Sequence, residues 1–84
     1  MNDLIAHIAQ LHTTELGAER IKRNLSLETD DAVQWCAMRI LEEGTVIRIN
    51  GKNWYADTGD AVITINAQSY TIITAHKTGR FASN

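Results

Sequence analysis

The apolar residues of this chain change their spacing once, close to Thr45, and that change limits the folds open to it. Before this point they recur at the three-to-four-residue interval of a helix, and after it they alternate as in a strand. Helices that precede the strands, rather than alternate with them, indicate an α+β architecture. With 84 residues, no proline and no internal repeat, the chain is predicted to form a single domain over residues 1–84.

Three helices are predicted in the first half of the chain. The first is expected over about residues 3–12, the second from a threonine cap at 13 or 14 to about residue 24, and the third from a cap at Thr29 to Gly44. The third helix has the clearest apolar stripe, which consists of Val33, Cys36, Ala37, Ile40 and Leu41.

Four strands are predicted in the second half, at Thr45–Ile49, Lys52–Ala56, Ala61–Asn66 and Tyr70–Ala75. The Asn50-Gly51 pair is a strong hairpin signal, and as the centre of a two-residue turn it places Ile49 opposite Lys52. The same register places Ile47 opposite Trp54. We therefore expect an antiparallel meander of four strands with the helices on one face and the other face open to solvent or a ligand.

Composition excludes several classes of protein. Apolar runs are too short for a membrane span and the first residues do not resemble a signal peptide, so a cytoplasmic protein with no membrane partner is expected. The single cysteine, Cys36, fits a reducing compartment and lies on an apolar stripe, as a buried thiol would. His7 and His12 are five residues apart, which does not place them on one helix face. No metal site or other cofactor is predicted.

The net charge of −2 conceals an uneven distribution. Residues 1–44 carry four basic and eight acidic side chains, whereas residues 45–84 carry four basic and two acidic ones. The acidic total argues against a broadly basic nucleic-acid binder. A local basic patch could still attract an anion, because ligands respond to the field near a site. Two independently solvated surfaces are the simpler interpretation.

Candidate site residues are concentrated in the predicted sheet. The segment Lys52-Asn53-Trp54-Tyr55 follows the turn and combines a cation, an amide and two aromatic rings. Alternation along the last strand would place four residues on one face, namely Tyr70, Ile72, Thr74 and His76. Cations interleaved with aromatic rings on an antiparallel sheet are typical of RNA binding. The alternative is that Trp54 and Tyr70 simply pack in or beside the core.

Five segments carry a resemblance to a domain-of-unknown-function family of short bacterial proteins. They are His12-Thr13-Thr14-Glu15-Leu16-Gly17, Arg20-Ile21-Lys22-Arg23-Asn24-Leu25, Trp35-Cys36, Gly51-Lys52-Asn53-Trp54-Tyr55 and residues 69–76. This resemblance covers nearly the whole chain and implies no particular activity.

A second resemblance concerns the order of elements. A helical pair with arginine on its second helix, followed by a four-stranded meander whose last strand carries hydroxyls and an imidazole, is similar to the barnase–EndoU–colicin–RelE-like ribonucleases. It implies metal-independent attack of a ribose 2′-hydroxyl on the adjacent phosphate. Carried onto this sequence, it would give catalytic roles to Arg20, Thr74 and His76. Arg48 or Lys52 would be the cation on the sheet.

Two functions from different classes are therefore expected. One is an endoribonuclease-like domain of the toxin or phage-defence type, with RNA bound by Arg48, Lys52, Asn53, Trp54 and Tyr70. The other is a non-catalytic module whose open sheet face binds RNA, a protein partner or a second copy of the chain. A helix-turn-helix that sets Arg20, Lys22 and Arg23 on DNA phosphates is a third reading, opposed by the acidic side chains of the same half.

Overall fold

A computed structural model describes residues 3–78 of the chain. The helices of this part are α1 (Asp3–Ala6), α2 (Glu15–Leu25) and α3 (Ala32–Leu41), and a short 3-10 turn at Ile8–Gln10 follows α1. The strands are β1 (Val46–Asn50), β2 (Asn53–Asp57), β3 (Ala61–Asn66) and β4 (Ile72–Lys77). All four strands form one antiparallel sheet in the order β1-β2-β3-β4. The predicted α+β architecture is confirmed.

The first predicted helix is interrupted, because residues 11–13 are needed as extended chain beside β4. Leu11 has a ψ of 133°, and the backbone of His12 then bonds to the start of β4. The His12 N–H donates to the Tyr70 carbonyl at 3.2 Å, and the Ile72 N–H donates to the His12 carbonyl at 2.7 Å. A helix through residue 12 would have withheld these groups from β4.

The caps of α2 and α3 follow from short polar side chains. Thr14 Oγ1 accepts from the Gly17 N–H at 3.0 Å, so of the two threonines predicted as caps it is Thr14 that begins α2. Asp31, rather than the predicted Thr29, caps α3 by accepting from the Gln34 N–H at 2.9 Å. The Thr29 hydroxyl accepts from the Asp31 N–H at 3.2 Å and so supports the true cap.

The end of α3 lies before Gly44. The helix stops at Leu41, because the Glu42 backbone is already extended, with a ψ of 143°. Thr45 donates its hydroxyl to the Arg39 carbonyl at 2.8 Å, which satisfies one carbonyl of the last helical turn. Glu42 lies beside the same arginine, with Oε1 2.7 Å from Arg39 Nε.

The predicted position of the first hairpin turn is wrong by one residue, so each residue of β1 pairs two residues further along β2 than expected. Asn50 pairs with Asn53, so the turn residues are Gly51 and Lys52 and not Asn50 and Gly51. Gly51 has a φ of +64° and Lys52 has no positive φ, which is the pattern of a turn that needs glycine only at its first central position. Asn50 therefore remains in the strand, and Ile49 lies opposite Trp54.

β4 contains a β-bulge, so the predicted assignment of its residues to the two faces of the sheet is wrong in part. Ile65 pairs with Ile72 and Thr64 pairs with Thr74, so Ile73 is an extra residue without a partner on β3. The predicted shared face of Ile72, Thr74 and His76 is wrong for this reason. Ile72 is buried in the core, whereas Thr74 and His76 lie on the opposite face.

The helices cover one face of the sheet, and α2 packs along β4. The core between the two layers contains Leu4, Leu11, Ile21, Leu25, Ala32, Cys36, Ile40, Trp54, Ala56, Ala61, Ile63, Ile65, Ile72 and Ala75. Burial raises the pKa of the Cys36 thiol to about 12. The expectation that Cys36 is buried is thus confirmed, and its thiol is not poised as a nucleophile.

The two edges of the sheet differ in how their outward-pointing backbone groups are paired. The outer edge of β4 bonds to His12, and two further side chains from the helical half donate to it. Thr13 Oγ1 donates to the Ile72 carbonyl at 2.9 Å, and Asn24 Nδ2 donates to the Ala75 carbonyl at 3.1 Å. In the described part of the chain, no such side chain or segment bonds to the outer edge of β1.

Candidate functional site

The sheet surface that faces away from the helices is called the open face below. Its residues alternate along each strand with those that face the core, although Thr64, at 7% exposed, is itself buried. Paired positions extend this surface across all four strands. The open face consists of Val46, Arg48, Asn50, Asn53, Tyr55, Asp57, Val62, Thr64, Asn66, Thr74 and His76.

A row of polar side chains crosses the middle of the open face. Arg48 pairs with Tyr55, Tyr55 with Thr64, and Thr64 with Thr74. Side chains paired in this way have Cβ atoms about 4.5–5.5 Å apart. A guanidinium, a phenol ring and two hydroxyls therefore form one continuous strip perpendicular to the strands.

The strip opens into a shallow cleft at its β1 end. The cleft has a volume of about 440 Å³ and is lined by Arg48, Ile49, Asn50 and Tyr55. It combines a fixed positive charge, an amide and an aromatic ring, which are the groups that contact a phosphate, a base edge and a base face. Arg48 makes no ion pair within the described residues, so its guanidinium is available to a ligand.

The structure brings some of the sequence-predicted site residues together and separates others. Thr74 and His76 lie on the open face, where His76 pairs with Val62 in the row beside Thr74. Asn53 is on the same face, and Lys52 occupies the turn at its margin. Arg20 belongs to α2, in the helical layer, and its guanidinium has no hydrogen bond to Thr74 or His76 in residues 3–78.

Trp54 and Tyr70 belong to the core side of the sheet. Trp54 is only 6% exposed, and its ring centroid lies 5.3 Å from that of Tyr70. Tyr70 is half-buried, has a φ of +61°, and also contacts the ring of His7 at 5.6 Å. Through these ring contacts the segment around His7 packs against the sheet. Among the described residues of the open face, Tyr55 is the one with a phenol ring.

A further polar cluster joins two distant segments of the chain. His12 Nδ1 lies 2.8 Å from the Gln10 carbonyl oxygen, which can only accept, so Nδ1 carries the hydrogen. Nε2 of the same ring lies 3.1 Å from the Thr71 hydroxyl oxygen. The hydroxyls of Thr71 and Ser69 are 2.8 Å apart, which completes a hydrogen-bonded chain from His12 to the segment that precedes β4.

Sequence reasoning missed this cluster as a unit, although each half was part of a segment that carried the family resemblance. The two halves are 59 residues apart, so only the folded chain shows that they meet. Within the described residues, no group of three or more histidine, cysteine, aspartate or glutamate side chains is arranged to hold a metal ion. Likewise, no helix of residues 3–78 is both long and apolar enough to cross a membrane.

A comparison with protein-family models identifies one family. The model described as "Protein of unknown function (DUF3781)" matches residues 5–76, a range that contains every element from the 3-10 turn through β3 and most of β4. Neither the curated proteins nor the solved structures gave a match. Because the family model spans most of the 84 residues, the chain belongs to the DUF3781 family.

Proposed function

We propose that the open face of the sheet binds single-stranded RNA. The observation that carries this proposal is the pairing of Arg48 with Tyr55 across β1 and β2, with both side chains lining the same cleft. An aromatic ring stacks on an unpaired base, and a neighbouring arginine meets the phosphate that follows it. Splayed single strands present both groups at once, whereas duplex RNA hides its base faces.

Amide side chains next to the cleft support the same class of ligand. Asn50 pairs with Asn53 beside the Arg48–Tyr55 pair, and neither amide has a hydrogen-bond partner in the described residues. An amide can both donate to and accept from the edge of a base. The open face therefore offers stacking, base-edge and phosphate contacts within adjacent rows of the sheet.

The open face carries few charges, so electrostatic attraction to phosphates should contribute modestly to RNA binding. Arg48 and Lys52 are its cations at neutral pH, and Asp57 also lies on the open face. Few phosphates would be neutralised, so we expect stacking to contribute more than counterion release. Stacking of one base on an aromatic side chain contributes about 1–3 kcal/mol.

Binding can be measured by fluorescence anisotropy with a labelled single-stranded RNA of mixed sequence. Tyr55→Ala should weaken binding by roughly 5- to 150-fold if one stacked base is lost. Arg48→Ala should weaken it and reduce the slope of log K against log salt by about 0.7, the value for one phosphate on a single strand. Arg23→Ala is the matched control, because Arg23 is an exposed arginine on α2. Equal affinity for all three variants and the wild type would contradict the proposal.

Metal-independent cleavage of the bound RNA is a second candidate function. It is favoured by the position of Thr74 and His76 on the open face, in the rows that contain Tyr55 and Asp57. A histidine can remove a proton from the 2′-hydroxyl and return one to the leaving oxygen, because its ordinary pKa is close to neutrality. The exposed imidazole of His76 has no hydrogen-bond partner in residues 3–78 that would hold it away from a substrate.

Cleavage and binding are separated by one set of measurements on the same RNA. If His76 is the acid–base group, His76→Ala should lower turnover by roughly 10²–10⁴-fold and leave affinity almost unchanged. Activity that a chelator removes, or that survives His76→Ala, would reject this mechanism. If the RNA binds but stays intact, the open face is a binding site without catalytic activity. If the RNA does not bind, the result favours a protein partner on the open face.

A further inference from the structure

We propose that β1 pairs with β1 of a second copy of this chain, in an antiparallel register centred on Ile47, to form one continuous sheet. The first support is the contrast between the two edges of the sheet. The outer edge of β4 is closed by His12, Thr13 and Asn24, whereas the outer edge of β1 is open within the described residues. Unpaired strand edges of this kind are templates for pairing with another chain.

The turn between β1 and β2 identifies the backbone groups that point outward. Asn50 and Asn53 flank a two-residue turn, so they form a hydrogen-bonded pair, and such pairs alternate with non-bonded ones along the ladder. Val46 and Arg48 therefore direct their N–H and carbonyl groups toward β2. Ile47 and Ile49 direct theirs to the outside, where the described chain provides no partner.

Two large apolar side chains of β1 itself are exposed. They are Val46, at 57%, and Ile49, at 64%, and they belong to a set of six large apolar side chains that are exposed in the described residues. Edge strands that remain unpaired are commonly protected by proline, a bulge or charged side chains. β1 has neither proline nor a bulge, and its charged side chain is Arg48. A partner that covers the edge would remove Val46 and Ile49 from water.

Charge selects the register with which two identical strands can pair. Centring on Arg48 would set two arginines directly opposite each other, which is destabilising. Centring on Ile47 instead places Arg48 of each copy opposite Val46 of the other, and the β2 neighbour of Val46 is Asp57. A long arginine side chain can extend across the valine toward that carboxylate. The register therefore replaces a repulsive contact with a complementary one.

The Ile47-centred register also fits the outward hydrogen-bonding groups. The two Ile47 residues exchange N–H to carbonyl bonds at the twofold axis, and each Ile49 N–H donates to the Thr45 carbonyl of the other copy. The Thr45 N–H already donates to the Glu42 carbonyl at 3.2 Å, so the Ile49 carbonyl would receive no bond from it in this register. A register centred on Ile49 would extend into the turn, where Gly51 has a φ of +64°.

Association can be tested by sedimentation of the full chain. Stable interfaces bury about 800 Å² on each partner, more than one strand edge offers, so the dimer should depend on concentration from about 10 to about 500 μM. The mass should rise from 9.4 kDa toward twice that value. Ile49→Lys should abolish the rise, and Leu16→Lys should not, although the two side chains are similarly exposed, at 64% and 76%.

Crosslinking distinguishes the proposed register from its rival. Residues 46 and 48 of the two copies would form a non-bonded pair with Cα atoms about 4.5 Å apart, a distance that a disulfide spans. Oxidation of a mixture of Val46→Cys and Arg48→Cys chains should therefore give a mixed covalent dimer. A mixture of Val46→Cys and Asn50→Cys chains, which keeps Arg48 in both copies and matches the Arg48-centred register, should not crosslink. A wild type that stays monomeric, a dimer that survives Ile49→Lys, or a crosslink between the Val46→Cys and Asn50→Cys chains would overturn the proposal.

Discussion

Gly17 lies directly against the side chain of Thr13 at the start of α2. A Cβ atom added to Gly17 would collide with Thr13 Oγ1, the same atom that donates to the Ile72 carbonyl at 2.9 Å. Glycine within a helix is ordinarily less favourable than alanine by about 1 kcal/mol. At this position the absence of a side chain lets Thr13 reach β4.

We therefore expect Gly17→Ala to destabilise the protein, against the helix propensity of alanine. The loss should be about 1–2 kcal/mol in the free energy of unfolding, because the Thr13 hydrogen bond is displaced and a buried carbonyl is left unsatisfied. In a Thr13→Ala background the same substitution should cost less, since the nearest obstruction is gone and the Thr14 hydroxyl, 3.2 Å from the added Cβ, remains. Urea denaturation of the four chains measures this difference. A loss of equal size in both backgrounds would contradict it.

Trp54 should contribute to stability more than any residue of the open face. Trp54→Ala removes a 6% exposed ring that packs on Tyr70, and such truncations cost about 3–5 kcal/mol. Thermal unfolding followed by circular dichroism should show a large drop in Tm. Leu16→Ala, at a side chain that is 76% exposed, should change Tm little. A folded Trp54→Ala variant with an unchanged Tm would show that the indole is not part of the core.

Asp60 should make the stability depend on pH in the acid range. The Thr58 hydroxyl donates to Asp60 at 2.8 Å, and with the Arg39 guanidinium 2.6 Å away it holds the pKa of this carboxyl below its usual range. A folded-state pKa below the unfolded value of about 3.9 adds stability above that pH, and the stability is lost as pH falls through the folded value.

The matching variants are Asp60→Asn and, as a control, Glu43→Gln. Asp60→Asn should lower Tm at neutral pH, and its deficit should shrink in strong acid, where the wild-type carboxyl is protonated as well. Glu43 is exposed and has no ion pair in the described residues, so Glu43→Gln should leave the pH profile unchanged. A deficit of Asp60→Asn that stays constant from neutral to acid pH would rule out the charge as its cause.

Cys36 should react with thiol reagents only when the protein opens. Its side chain is fully buried, and burial raises the pKa of the thiol to about 12, so both access and thiolate are lacking at neutral pH. Labelling by an aromatic disulfide reagent should therefore be slow and should accelerate with urea in parallel with unfolding. As Cys36 is the single cysteine, the signal needs no correction. Rapid labelling of the native protein would be inconsistent with this burial.

Local patterns were enough to predict the elements of the sheet, but not their alignment. The bounds of β3, Ala61–Asn66, were predicted correctly, since turn residues limit an apolar run on both sides. The β1–β2 register was missed because Asn50-Gly51 also suits a turn in which only Gly51 needs a positive φ. The bulge at Ile73 was missed because nothing in an alternating run marks the residue that lacks a partner.

In the candidate site, too, the features that depend on neighbouring residues could be predicted, whereas contacts between distant parts of the sequence could not. Alternation was enough to predict that Arg48 lies in a strand, on the face opposite Ile47. His76 lies beyond the predicted end of the last strand, and the bulge at Ile73 sets it and Thr74 on the face opposite Ile72. The tryptophan beside Tyr55 was the more prominent aromatic residue, yet burial assigns it to the core. The His12–Thr71 contact depends on a break in the first helix, and that break is caused by pairing with a strand that lies far along the chain.

The packing of α2 on β4 has a consequence for the order in which the chain can fold. The helices are synthesised first, but the strand that receives Ile21 and Leu25 is synthesised last among the described elements. Until β4 emerges, α2 lacks the strand against which it packs most extensively, and the segment around His12 lacks its partner on β4. A nascent chain that ends before β4 would therefore lose the docking surface of the helical layer, and with it the cooperative transition, rather than one peripheral strand.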